Sequence, residues 1–197
     1  MQGSLEDLEE KILSLVDRIS RAYDYILRKC SSKHGITTLQ AELLLLAGKS
    51  NIGDRGVTKT SRMLLVTQPT VSDSISALAR KGLIEVSQSD FDKRITRIKL
   101  SVKGEKIFRD LQTCIETFKE AIKIFDAESQ EDLFKSFMML THSLYELGIV
   151  KEARMCLTCR HLSRDAETYY CSLLGVKMTL RELKIDCQDH EPGNALL

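Results

Sequence analysis

Apolar residues near the start of the chain fall at Leu8, Ile12, Leu15, Val16, Ile19, Tyr23, Ile26 and Leu27. Steps of three and four predict one long amphipathic helix, stopped at Gly35 in "KHGITT". "LQAELLLLAGK" predicts a second helix, and "NIGDRG" a loop rich in turn formers. "VTKTSRMLLVTQPTVSDSISALARKGL" reads as two helices around a tight break near Val66–Thr67. Thr67 is a capping type, and Pro69 is tolerated only in a first helical turn. The later helix buries Val71, Ile75 and Leu78, and Gly82 ends it. Its other face is Thr70, Ser72, Asp73, Ser74, Ser76 and Arg80, small and hydrogen-bonding. The period then switches to two. "LIEVSQ" and "RITRIKLS" predict strands joined by "SDFDK", with Thr96, Ile98 and Leu100 on one face and Arg97 and Lys99 on the other. Helical spacing returns with Phe108, Leu111, Ile115, Phe118, Ile122 and Phe125, and again with Leu133, Phe137, Leu140, Leu144 and Leu147.

A helix–turn–helix followed at once by a hairpin predicts a winged helix, mainly α with a small β wing. Long helices flank it. Their stripes exceed what one small winged helix covers, so two-fold pairing of chains is the expected solution. The 197 residues fit one full domain plus an appendage, divided here as 1–150 and 151–197. No apolar run approaches the roughly 18 residues of a membrane span. The beginning, "MQGSLEDLEE", is acidic and polar, unlike a secretory signal. Cytoplasmic location with reduced thiols is the expectation.

The net charge of +1 hides an asymmetry: residues 51–109 carry twelve basic and six acidic side chains, and residues 110–150 three and eight. A basic surface confined to the helix–turn–helix and hairpin suits a polyanion. A major groove about 12 Å wide accepts the second helix of the motif. There Gln68, Thr70, Ser72, Asp73, Ser76 and Arg80 are the candidates for base edges and phosphates, since Gln can read adenine and Ser or Thr several partners. On the hairpin, Lys93, Arg94 and Arg97 are the candidates for groove or backbone contact, Arg94 being suited to a narrow minor groove.

The stretch Thr70-Val71-Ser72, Leu78 before Lys81-Gly82-Leu83, Asp92-Lys93-Arg94, and Leu100 before Gly104 resembles the core of the MarR (multiple antibiotic resistance regulator) family. The resemblance covers about residues 1–150 in element order and is sharp from 67 to 104. It implies an obligate homodimer, formed by first and last helices, with two winged helices on a pseudo-palindromic double-stranded site. Two departures stand out. Thr60 and Ser61 occupy positions where the family has leucine and alanine, and the turn of the motif lacks glycine.

Four of the six cysteines crowd the end of the chain as Cys156-x2-Cys159-x11-Cys171-x15-Cys187. Cysteines two residues apart let both sulfurs meet one metal. Cys187-Gln-Asp-His190 repeats that spacing with a histidine. Two ligand sets follow: the four cysteines, or His190 in place of Cys171. Zinc suits either set, and an iron–sulfur cluster suits the four cysteines, one centre per chain. The tail's apolar residues make only a small core, and small modules often need a metal to fold. Cys30 and Cys114 lie inside helical stripes and read as small buried hydrophobes. His34 and His142 read as surface or capping residues. No catalytic constellation is present in the pattern. The sequence therefore points to a homodimeric DNA-binding transcription regulator, in the repressor sense, with a tail that senses metal or redox state. The alternative is a winged-helix protein-interaction module with a structural zinc tail.

Overall fold

A computed structural model describes residues 3–49, 56–88, 96–165 and 168–193. The order is α1 (Gly3–Lys33), α2 (Thr38–Lys49), α3 (Gly56–Met63), α4 (Gln68–Arg80), β1 (Ile84–Gln88), β2 (Thr96–Leu100), α5 (Val102–Ile122), α6 (Ala127–Glu146), β3 (Leu162–Asp165), β4 (Thr168–Cys171) and β5 (Val176–Met178). The architecture through α6 is the expected winged helix with long flanking helices. It falls into two compact units, residues 1–57 with 69–122, and residues 58–68 with 123–197.

In the first unit α1 and α2 pack on α5, and α2 meets β2. Leu27, Leu44, Val71, Leu78, Leu83 and Leu111 are its largest fully buried apolar side chains. Gly35 stops α1 as the sequence implies: its amide donates to the Ser32 carbonyl, and the Ile36 amide donates to Ser31. Thr37 and Gln40 then form a reciprocal cap at the start of α2. The Gln40 amide donates to Thr37 Oγ1 at 3.2 Å and the Thr37 amide to Gln40 Oε1 at 3.3 Å. Gly82, at φ +67°, ends α4 in the left-handed region that favours glycine. The amide after it, on Leu83, donates to Leu78. The hairpin is antiparallel, with Val86 opposite Ile98. Ser101 then caps α5: its hydroxyl donates to the Gly82 carbonyl at 2.6 Å and accepts from the Gly104 amide at 3.0 Å.

Cys30 and Cys114 are more than small hydrophobes: they are joined as a disulfide between α1 and α5. Near it Leu27 is buried and Tyr23 meets Phe118 edge-on at 5.7 Å; toward its start α1 is bare. From Asp7 to Tyr25 only Val16 is even half-buried, and Leu8, Ile12, Leu15 and Ile19 are all exposed.

In the second unit α6 is capped by Asp126, whose carboxylate accepts from the Ser129 amide at 2.7 Å; that bond holds the carboxyl below its ordinary range. The buried face of α6 is not the stripe read from the sequence. Met138 and His142 are buried, with Phe134 and Tyr145 partly so, while Phe137, Leu140 and Leu147 are exposed. His142 is thus a core residue, 1% exposed, and neither ring nitrogen has a hydrogen-bond partner among the described residues. The tail forms a three-stranded antiparallel sheet, β3–β4–β5. Its core, with Met155, Leu157, Leu162, Tyr169, Met178 and Leu183, is continuous with Met138 of α6.

Candidate nucleic-acid interface and cysteine cluster

The link from α3 to α4 lacks glycine, yet it makes a glycine-type turn. Leu65 takes φ 53°, and the Val66 amide donates back to the Ser61 carbonyl across it. Thr60 and Ser61, the small polar residues that depart from the resembled pattern, are buried. The Ser61 hydroxyl donates to Thr58 O at 2.8 Å, so its burial leaves no orphaned donor.

On α4, Val71, Ile75 and Leu78 face inward. Gln68, Thr70, Ser72, Asp73, Ser76 and Arg80 are all exposed. Ser72, Asp73, Ser76 and Arg80 recur at helical spacing on the side opposite the buried residues, an uninterrupted polar strip about two turns long. Gln68, the first residue of the helix, accepts a long hydrogen bond from Thr58 Oγ1 at 3.4 Å through Oε1. Lys93 and Arg94 lie outside the described residues. The backbone of Arg97 pairs with Ser87 in the hairpin, but its side chain also lies outside what is described.

Part of the positive charge counted in 51–109 is spent internally. Lys81 Nζ donates to the Gly35 carbonyl at 2.7 Å and to Gln40 Oε1 at 3.1 Å, tying the end of α4 to the corner between α1 and α2. Arg109 pairs with Glu105 at 3.3 Å within α5. Sequence counting cannot separate such ammonium and guanidinium groups from those that face outward.

The four tail cysteines come from three parts of the fold. Cys156 opens a 3-10 turn, Cys156–Thr158, and the Cys159 amide closes it by donating to the Cys156 carbonyl. Cys171 ends β4, where the Gly175 amide donates back to its carbonyl. Cys187 lies on the last described segment. That segment runs beside the first: the Cys156 amide donates to Lys184, the Cys187 amide to Arg154, the Arg160 amide to Glu191, and the Gly193 amide to Thr158. All four side chains line one small, partly open cavity, with His161, Asp189 and three leucines. The Lys184 amide donates to Cys156 Sγ at 3.2 Å. Burial pushes the Cys156 thiol up, against that hydrogen bond, and Cys187, Cys159 and Cys171 are close enough to push it further. As it stands, no group of three or more His, Cys, Asp or Glu among the described residues has the arrangement of a metal-binding site.

His190 takes a different post. Its Nε2 lies 2.9 Å from Thr158 Oγ1 and 3.1 Å from the Thr158 carbonyl, and it does not line the cavity. Burial holds its imidazole below the ordinary range. The spacing repeat that made His190 an alternative to Cys171 is thus used for a hydrogen bond. His161, which no spacing singled out, does reach the cavity, and its Nε2 lies 3.4 Å from Glu191 Oε1.

No helix among the described residues is long and apolar enough to cross a membrane. No protein-family model matches the chain. Among solved structures, the chain is similar to Streptococcus pneumoniae FabT in complex with DNA, at 26% identity and TM-score 0.58, over 73% of this chain and 99% of that one. It is similar to S. aureus MepR in its DNA-binding conformation, at 20% identity and TM-score 0.60, over 68% and 98%. A MarR transcriptional regulator from Methanosarcina mazei matches at 19% identity and TM-score 0.59, over 70% and 99%. These chains are spanned almost end to end, while more than a quarter of this one lies outside each match.

Proposed function

We propose, from a fold shared with MarR-family transcription regulators, that the chain is a homodimeric, sequence-specific DNA-binding regulator acting as a repressor. The observation that carries this reading is the polar strip of α4, exposed along its length and backed by a buried apolar face. In a major groove Ser72 and Ser76 would meet base edges or phosphates, Asp73 would accept from a cytosine amino group, and Arg80 would contact phosphate. Gln68 and Thr70 open the helix, where the first turn meets the bases. Lys93, Arg94 and Arg97 would serve the wing. The neighbour crystallised with DNA supports the same use of this fold.

The dimer rests on the bare stripes of α1 and α6. Leu8, Ile12, Leu15 and Ile19 stay exposed on a helix of 31 residues, and Phe137 and Leu140 on α6 do the same. Removing such stripes from water is worth roughly 25 cal/mol per Å², and a second copy of the chain supplies matching surface by two-fold symmetry.

The tail adds a centre, zinc or an iron–sulfur cluster, on Cys156, Cys159, Cys171 and Cys187. Because Met138 of α6 shares the tail's core, loss of the centre would disturb the dimer helix and alter the spacing of the two α4 helices. Coupling of about 1–3 kcal/mol between centre and DNA is expected. The test is a pair of variants on a selected DNA site. Arg94→Ala should weaken binding to every sequence, and Gln68→Ala should relax preference at particular base pairs. Each should cost about 1–3 kcal/mol. Variants that bind like the parent, in strength and in preference, would contradict the assignment.

A further inference from the structure

The second unit, residues 58–68 with 123–197, contains a cleft of about 390 Å³. It lies between the end of α3, one face of α6 and two stretches of the tail, 150–155 and 185–186. Its volume falls within the roughly 300–1,000 Å³ of small-molecule sites. The walls are apolar and soft. Phe134, Phe137 and Met138 come from α6, Met63 is the last residue of α3, and Met155 belongs to the tail. Three thioethers beside two aromatic rings make a polarisable surface that adapts to ligands of varied shape. The face of an aromatic ring also attracts cations. Met138 and Met155 are each 3% exposed, whereas Phe137 is 43% exposed, so the cleft has a covered floor and an open side.

Three charged side chains border these walls, and they are not equivalent. Arg154 is committed elsewhere. Its side chain is only 10% exposed, its Nη2 donates to the Cys187 carbonyl at 2.5 Å, and its Nε lies 3.8 Å from Asp186 Oδ1. Arg154 and Asp186 thus offset each other. Glu152 is half-buried and has neither a hydrogen bond nor an ion pair among the described residues. The group that its charge reaches is His190, whose imidazole burial holds toward the neutral form. A carboxylate set against apolar surface loses hydration, and without a partner nothing compensates it. A cation in the cleft would compensate it, while the rings and thioethers take up an apolar body.

We propose that this cleft binds a lipophilic monocation, an organic ammonium or phosphonium carrying aromatic or aliphatic groups, with Glu152 as its counter-ion. The tail then has a second use, closing a ligand site against α6. The proposal stands apart from the metal centre and from the reading of α4.

The experiment uses the full chain and two ions of nearly the same shape and opposite charge, tetraphenylphosphonium and tetraphenylborate. Each is titrated by calorimetry in sodium buffer at low salt. The phosphonium should bind once per chain, about tenfold more tightly than the borate. Glu152→Gln keeps the size of the side chain and removes its charge. It should weaken the phosphonium about tenfold and erase the preference. Ile185→Ser changes a cleft residue that is 69% exposed, so the fold survives it, and should weaken both ions alike. Borate bound as tightly as phosphonium, or an unchanged phosphonium affinity in Glu152→Gln, would overturn the charge assignment. Failure of both ions to bind at millimolar concentration would overturn the site. Light scattering on the same samples should show no change of mass as the phosphonium binds. Dissociation to a smaller species would identify a second copy of the chain as the occupant and overturn the cation.

Discussion

At the scale of single residues, Gly104 shows why one position of the resembled pattern must be glycine. A Cβ there would lie 1.9 Å from the Leu83 carbonyl oxygen, and backbone cannot step aside as a flexible side chain can. Two effects oppose each other in Gly104→Ala. Helix propensity favours alanine by about 1 kcal/mol, and overpacking against backbone costs about 3 kcal/mol. The second wins, so thermal melting should show a clear loss of stability; a rise would mean that α5 does not approach Leu83 this closely. Leu65 presents the converse case. Holding a leucine in the left-handed region costs about 1–2 kcal/mol, and the residue is 56% exposed, so little packing is lost on removing it. Leu65→Gly should be neutral or stabilising by up to about 1 kcal/mol once the greater freedom of the unfolded chain is counted. Leu65→Ile should be destabilising. A large loss in Leu65→Gly would show that the side chain carries packing the exposure does not reveal.

At the scale of elements, the helix starts and stops and the hairpin were legible because each has a local chemical cause. Gly35 and Gly82 stop helices, Pro69 sits in a first turn, and the alternation of Thr96, Ile98 and Leu100 marks a strand. The face of α6 was not legible. Its leucines and phenylalanines form a stripe at helical spacing, but Met138 and His142, one step round the helix, are the buried residues. A periodic pattern gives two or three adjacent faces of similar hydropathy, and which one is covered depends on a tertiary partner, here the tail, that no local pattern announces. The exposed face then supplies the interface proposed for the dimer. Ile12→Asp on α1 should yield a monomer or an unfolded chain, because a charge in a paired apolar seam has no partner. Light scattering at micromolar concentration checks this. A dimer of unchanged affinity would place the interface elsewhere, and a monomeric parent chain would remove it.

At the scale of the molecule, the six cysteines divide by unit. Cys30 and Cys114 bridge α1 and α5 in one, and the four free tail thiols line one cavity in the other. Sequence spacing singled out the second set, since a CxxC is a local signal. It could not pair residues 84 positions apart, whose proximity is created only by the packing of two helices. The same division exposes the limit of counting charge. Lys81 belongs to the basic segment by position, but its ammonium serves the fold. The net +6 of residues 51–109 therefore overstates the charge that is free to meet a polyanion, and under the proposed function the salt dependence of binding should report a smaller, outward number of phosphate contacts. The slope of log affinity against log salt should be negative, with about 0.9 per phosphate contacted. A Lys81→Met variant should lose stability with little change in that slope; a slope reduced by about one contact would place Lys81 at the DNA instead.

The central claim is that the exposed strip of α4 reads DNA. Its most direct test is selection of the full-length protein against a randomised double-stranded library at low salt, followed by affinity measurement on the recovered site. The account predicts enrichment of a pseudo-palindromic sequence, bound by two chains, with affinity falling steeply as salt is raised. No enrichment, and no measurable affinity for any duplex at low salt, would contradict it.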